Sequence, residues 1–245
     1  MYKKIAQRIL EVRAVSEYFF LNVITIILLK IARIIGREYT SIWYNLKNSW
    51  FDHRFDYLRG IDNFFWYERG LFANLIINEG DNVLDIGSGD GIYSGLFFSK
   101  RAKHVDAVDS DLNAINHSKN HYQKFNIGFH HLNVLKNEFP ERKYDKIFLF
   151  SVIEHFTDTE GHMVLNKVAK SLASNGVFMG STPIFKQKGK HNEEHKNEFT
   201  SISQLKRFLN PHFRKIKIFT SKWGQERIDC YFECNEPILI NKINA

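Results

Sequence analysis

The chain has 245 residues, 44% hydrophobic and 15% aromatic, with 34 basic against 27 acidic side chains and a formal net charge of +7. That composition excludes a disordered or collagen-like chain and fits one large α/β domain with an appendage. The positive excess is modest and spread out, densest at Lys3-Lys4 and Lys186-Gln187-Lys188-Gly189-Lys190. With no zinc-finger spacing or arginine-rich arm, no nucleic-acid partner is expected.

Residues 1–37 read as one long amphipathic helix, free of proline and, before Gly36, of glycine. Lys4, Arg8, Glu11, Asn22, Thr25, Lys30, Arg33 and Arg37 gather on one side of a helical wheel. Ile9, Ile24, Ile27, Leu28, Ile31, Ile34 and Ile35 occupy the other. A basic helix with a wide apolar face can lie peripherally in a membrane interface, or it can pack on the domain or on a second subunit. The apolar run at 18–29 holds Asn22 and Thr25 and ends at Lys30. It is expected to fall short of the roughly 18 to 20 residues that a spanning helix needs. Glu11 and Glu17 ahead of it, and no small-x-small site behind, argue against a secretory signal.

Residues 38–79 form a helical, aromatic pre-domain segment with Trp43, Trp50, Phe51, Phe64, Phe65 and Trp66. Within it Tyr67 and Arg69 are candidates to touch a ligand, with core packing and a surface ion pair as the plainer readings. From residue 80 to 245 the pattern is that of an α/β domain. Strands are expected at 82–86, 104–108, 128–132, 144–150 and 176–181, with helices at 91–101, 111–124 and 159–174 between them. That alternation predicts parallel pairing with right-handed crossovers. A polar loop at 184–198, a short helix near 201–209 and two antiparallel strands at 213–219 and 227–234 complete the chain. Cys230 and Cys234 share one face of the last strand, too far apart along it for a disulfide. They read as small buried hydrophobes in a reducing, cytoplasmic compartment.

The first strand runs into Asp85-Ile86-Gly87-Ser88-Gly89-Asp90-Gly91, with glycine at every second position of the turn. Glycine tolerates positive φ and lets a ligand sit against the backbone. In an open parallel sheet a ligand binds at the carboxyl ends of the strands. Asp109 ends the second strand, where an acid can accept two hydrogen bonds from a ribose diol; alternatively it caps the next helix, a role for which Asp111 is better placed. The dinucleotide fingerprint is G-x-G-x-x-G. Here the turn is G-x-G-x-G, with Asp85 in the strand before it and Asp90 inside it, two acids that would repel a pyrophosphate and suit an ammonium group.

Asp85-Ile86-Gly87-Ser88-Gly89-Asp90-Gly91 followed by Val108-Asp109-Ser110-Asp111 resembles the class I S-adenosylmethionine-dependent methyltransferases. So do Tyr144-Asp145-Lys146-Ile147-Phe148 with Val152-Ile153-Glu154-His155-Phe156, then Gly176-Val177-Phe178, Ser181-Thr182-Pro183 and His195-Lys196-Asn197-Glu198-Phe199-Thr200. These last elements resemble a branch that methylates quinone precursors, sugars and lipid-linked acceptors. The likeness covers about 68–235 and implies a Rossmann-like, doubly wound, mostly parallel seven-stranded sheet with an antiparallel C-terminal strand and N-terminal helices.

Carried over by position, Gly87, Ser88, Gly89, Asp90 and Gly91 would cradle the methionine part of S-adenosylmethionine, and Asp85 would bind its ammonium. Asp109 and Ser110 would flank the ribose, with Leu112 near the adenine. Asn133 stands where the family usually has Asp; it would accept from the adenine amino group, or serve only its turn. Ser151 and Val152 would lie under the sulfonium. His155 and His195 are the candidate general bases for an acceptor hydroxyl, with a loop-holding role as the alternative for His155. His191 and His195 are four apart, but the segment lacks a His-Glu-x-x-His signature and no metal is expected. Loop 184–198 is a lid or acceptor contact, or a solvated loop. The expected reaction is methyl transfer to an oxygen of a small-molecule or lipid-linked acceptor. A non-catalytic nucleoside-binding protein of the same fold and a NAD-dependent oxidoreductase are the alternatives.

Overall fold

The computed structural model describes residues 2–46, 49–60, 63–185, 193–223 and 227–239. The chain divides into two compact units, residues 1–48 with 54–64, and residues 49–53 with 65–245.

The first unit is built on helix α1, Tyr2–Asn45. It runs eight residues beyond the expected end near 37, because Gly36 is a point of close packing and not a stop. A Cβ there would sit 3.2 Å from the Leu58 Cβ, on the short 3₁₀ turn Asp56–Arg59. Tyr39 meets the Phe55 ring edge-on at 5.1 Å. The apolar side chains of α1 are largely exposed, among them Phe19, Phe20, Leu28, Ile34 and Ile35. Between Lys3 and Trp43 an 18-residue window reaches a mean hydropathy of 2.1 with 6% of it buried. By length and composition α1 can therefore cross a membrane, which corrects the expectation drawn from the run at 18–29. Asn22 and Thr25 do not interrupt helical backbone, and Lys30 and Arg33 are long enough to lead their charges out of an apolar layer.

The second unit carries a seven-stranded sheet of order β3-β2-β1-β4-β5-β7-β6. Its strands are β1 Asn82–Ile86, β2 His104–Asp109, β3 Ile127–His131, β4 Tyr144–Phe150, β5 Leu172–Pro183, β6 Phe213–Trp223 and β7 Arg227–Pro237. The first five pair in parallel, and β7 runs antiparallel between β5 and β6. Helices α2 Phe65–Ile76, α3 Ile92–Leu96, α4 Leu112–Tyr122, α5 Asp158–Ser171 and α6 Ile202–Leu209 connect or cover the strands.

The inner strands are apolar on both faces because helices cover both. Leu84, Ile86, Ile147 and Leu149 pack with α5 and α6 residues such as Val164, Val168 and Leu205. Val83, Val105, Ala107 and Phe148 pack on the opposite side with Ala73, Ile77 and Phe98. Cys230 and Cys234 are free thiols, fully buried on β7 opposite Thr182 and Phe178. The chain reverses its winding direction between β1 and β4, and the carboxyl ends of those two strands open at that switch.

Candidate functional site

The turn after β1 is built from three glycines at positive φ, +70° at Gly87, +52° at Gly89 and +80° at Gly91. Each does a different job. A Cβ on Gly87 would strike Val152 Cγ2 at 2.4 Å, and one on Gly91 would strike Ser118 of α4 at 2.7 Å. A Cβ on Gly89 would meet nothing within 4 Å. The turn is therefore open over Gly89, while Gly87 and Gly91 let β4's exit loop and α4 close on it.

Asp109, at the end of β2, accepts from the Gly89 N–H and the Asp111 N–H, both at 2.9 Å. Burial pushes its pKa up, opposed by those two donors. Asp111 caps α4 by accepting from the Asn113 and Ala114 N–H groups. Asp109 is thus the acid that stands against the glycine turn, and its two oxygens keep lone pairs for further donors.

Asp85 is buried and accepts from the Ser94 hydroxyl at 2.7 Å. Desolvation, only partly offset by Ser94 and reinforced by Asp109 and Asp90, pushes it up to about 7. Below pH 7 the folded protein holds a proton on Asp85 that the unfolded chain, with its ordinary value of 3.8, has already lost at pH 5. Stability from this group is therefore greatest below about pH 4 and declines as pH rises toward 7. For the ammonium that the resemblance assigns to Asp85, binding would run the other way, because an ammonium needs the carboxylate. S-adenosylhomocysteine affinity is expected to fall on going from pH 8 to pH 6, with proton release measurable by calorimetry in buffers of different ionisation enthalpy. Asp85→Asn should flatten that dependence; an unchanged slope in the variant would remove Asp85 from the role.

Both oxygens of Asp90, which the resemblance sets in the cradle, accept from backbone N–H groups. One accepts from the Ile92 N–H at the start of α3, the other from the His53 N–H at 2.8 Å. The latter belongs to a strap, residues 49–53, whose place sequence patterns do not reveal. Ser49 donates to Asp111, Trp50 packs on the His117 ring at 4.7 Å, and the Tyr67 hydroxyl donates to the His53 carbonyl at 2.9 Å. Tyr67 thus holds the strap. Asn133 likewise serves its own turn, its Oδ1 accepting from the Leu135 N–H at 2.9 Å. Ser110 offers its carbonyl to a His131 ring nitrogen.

Among the described residues, several of the buried polar atoms without hydrogen-bond partners lie at the carboxyl ends of the strands. They include the hydroxyls of Ser88 in the turn, Ser151 after β4 and Ser181 on β5, with Arg69 Nε and Nη2 and Glu154 Oε2. Ser151 is also held at φ +52°, with its N–H donating to the Ser181 carbonyl. Orphaned buried polar groups are costly, so such a set marks a place where a polar ligand completes the bonding. These residues fit the sulfonium nucleoside that the resemblance implies. Arg69 lies over the Trp66 ring at 4.5 Å and 3.6 Å from Asp229. Its neighbour Glu68 fixes α2 to the sheet by accepting from Ser221, Trp223 and Tyr231.

His155 and His195, 40 positions apart, come together at the end of β4, their rings edge-to-face at 5.2 Å. The 3₁₀ turn Ile153–His155 presents Glu154 and His155. The Glu154 carbonyl accepts from the N–H groups of Lys196 and Asn197 at 2.9 and 3.0 Å, which brings His195 over that turn. His195 Nδ1 lies 3.0 Å from Glu198 Oε1, within hydrogen-bond reach of that carboxylate. His191 and Lys186 to Lys190 lie outside the described residues.

A family model described as a methyltransferase domain matches residues 56–222. The chain is similar to the tRNA U34 carboxymethyltransferase of Campylobacter curvus (strain 525.92), 26% identical over 137 residues, covering 55% of this chain and 45% of the relative. It is also similar to the phosphoethanolamine N-methyltransferase of Plasmodium falciparum (isolate 3D7), 28% identical over 110 residues, covering 44% and 41%. The chain thus spans less than half the length of these curated relatives. Among solved structures it shares its fold with the N-methyltransferase NodS from Bradyrhizobium japonicum WM9 in complex with S-adenosyl-L-homocysteine. The TM-score is 0.58 at 14% identity, over 72% of this chain and 89% of that one.

Proposed function

The chain belongs to the methyltransferase domain family, with S-adenosylmethionine as its methyl donor, and we propose that its acceptor is a hydroxyl of a small-molecule or lipid-linked compound. The observation that carries the donor site is the cradle over Gly89, open where a side chain would sit and closed at one end by Asp109. The bound donor supplies an activated methyl group on its sulfonium. The residues then have to place the acceptor oxygen in line with it, which alone can lower the barrier by many kcal/mol.

His155 and His195, at the end of β4, are the groups proposed to activate that hydroxyl. As the carbon–oxygen bond forms and the carbon–sulfur bond breaks, the bonding pair stays on sulfur and the hydroxyl proton leaves to a basic group or water. Support for an acceptor at a membrane comes from α1, whose apolar side chains stand exposed along most of its length. We place residues 1–37 at the cytoplasmic membrane face, and the free thiols of Cys230 and Cys234 agree with a reducing compartment.

Incubating the protein with methyl-labelled donor and a fractionated extract tests the acceptor class. Label should enter the lipid or small-molecule fraction. Label in RNA instead would overturn the acceptor proposed, and no label anywhere alongside intact S-adenosylhomocysteine binding would favour a non-catalytic nucleoside-binding protein. Binding of NAD in place of the sulfonium nucleoside would point to an oxidoreductase. Deleting residues 1–37 should move the protein from the membrane to the soluble fraction; a truncated protein that still sediments with membranes would overturn the placement.

A further inference from the structure

We propose that Glu154, His155 and His195 form a binding site for a divalent transition-metal ion of the zinc type. One ligand atom from each, a carboxylate oxygen and two imidazole nitrogens, lies within 4.8 Å of the others. Two imidazoles and a carboxylate are a donor set suited to Zn²⁺, and three protein ligands leave a position for water or for an acceptor oxygen.

Three observations beyond the cluster support it. First, Glu154 is 2% exposed, and its Oε2 makes no hydrogen bond. The Thr182 hydroxyl beside it is a neutral donor to its carboxyl group, and the nearby Arg69 is already paired with Asp229. A cation would give that carboxylate oxygen the partner it lacks. Second, His195 is oriented from behind: its Nδ1 lies 3.0 Å from Glu198 Oε1, with the two side chains 8% and 10% exposed. A carboxylate on one ring nitrogen sets the tautomer and directs the other nitrogen outward, as metal-bound histidines require. Third, the backbone fixes the geometry. Two hydrogen bonds from residues 196 and 197 converge on the Glu154 carbonyl, and Lys196 Nζ reaches Glu160 at 3.2 Å. Glu160 itself closes the capping box that starts α5. The segment carrying His195 is tied to the turn carrying Glu154 and His155 and to the first turn of α5.

The site itself stands independently of methyl transfer. Its catalytic use rests on the function proposed above: an ion at this place would lower the pKa of an acceptor hydroxyl, its proton leaving to water. His155 and His195 would then act as ligands, and not as free bases.

The test is titration of the metal-free full-length protein with Zn²⁺ by calorimetry and with Co²⁺ by visible absorption. One equivalent should bind in the micromolar range or tighter, with the intense d–d band of a four-coordinate Co²⁺ site. His195→Ala and His155→Ala should each weaken binding by about 100-fold or more. Glu198→Gln, which leaves all three ligands in place, should weaken it by about 10- to 100-fold. Melting temperature and S-adenosylhomocysteine affinity, measured on every variant, identify any that fail to fold. Absence of the Co²⁺ band, or variants that bind as the parent does, would overturn the site. Neither readout uses the acceptor, so a wrong acceptor class would leave this result standing, and a missing metal would leave donor binding intact.

Discussion

Replacing Asp109 with alanine should weaken S-adenosylhomocysteine binding by about 100-fold while the protein stays folded. A charged acceptor contributes about 1.5 to 3 kcal/mol per hydrogen bond, so losing two such bonds to a ribose diol accounts for a change of that order. The same substitution removes the acceptor for the Gly89 and Asp111 N–H groups, so part of the loss comes through the turn. Stability should change less than affinity. Asp109 has its pKa raised by burial, which means that the folded state bears a penalty for keeping it charged at pH 7, and alanine relieves that penalty as it gives up the two bonds. Asp109→Asn preserves one oxygen acceptor and should fall between the two, at about a 10-fold loss. Calorimetric titration of the three proteins with S-adenosylhomocysteine decides the matter. An alanine variant that binds as tightly as the parent would remove Asp109 from the ribose site.

Much of this fold is legible in the chain because its strands are short, apolar and separated by strong signals. The β1 residues Val83-Leu84-Asp85-Ile86 end at a glycine turn, and β4 closes on four large apolar side chains, residues 147–150, that follow Asp145-Lys146. Asp111 and Thr157 stand where side-chain caps start α4 and α5. What resisted reading is long-range. Asp90 and Asp111 give no sign in sequence that the strap at 49–53, 37 and 62 positions away, also donates to their oxygens. Glu68 gives no hint that its three donors come from residues more than 150 positions downstream. The meeting of Glu154 with His195 depends on backbone hydrogen bonds, which leave no mark in the pattern of side chains. Gly36 misled for a related reason, since a glycine needed for close packing looks the same in sequence as one that ends a helix.

The same ambiguity within the turn leads to the second large effect. Gly87, Gly89 and Gly91 are alike in sequence and all sit at positive φ, so alanine at any of them carries a strain of about 1 to 2 kcal/mol. Their surroundings then separate them. At Gly87 the new methyl group would lie 2.4 Å from Val152, and at Gly91 it would lie 2.7 Å from Ser118. Overpacking of that kind adds about 1 to 3 kcal/mol, so Gly87→Ala and Gly91→Ala should lower the melting temperature by about 5 to 15 °C. At Gly89 the methyl group would enter open space. Gly89→Ala should therefore melt within a few degrees of the parent yet bind S-adenosylhomocysteine at least about 10-fold more weakly, and Gly89→Arg should bind none that calorimetry can detect. If Gly89→Ala instead loses stability and keeps its affinity, the space over Gly89 is not where the donor sits. The alternate glycines are then three packing contacts, and the cradle has to be sought on the other side of Asp85.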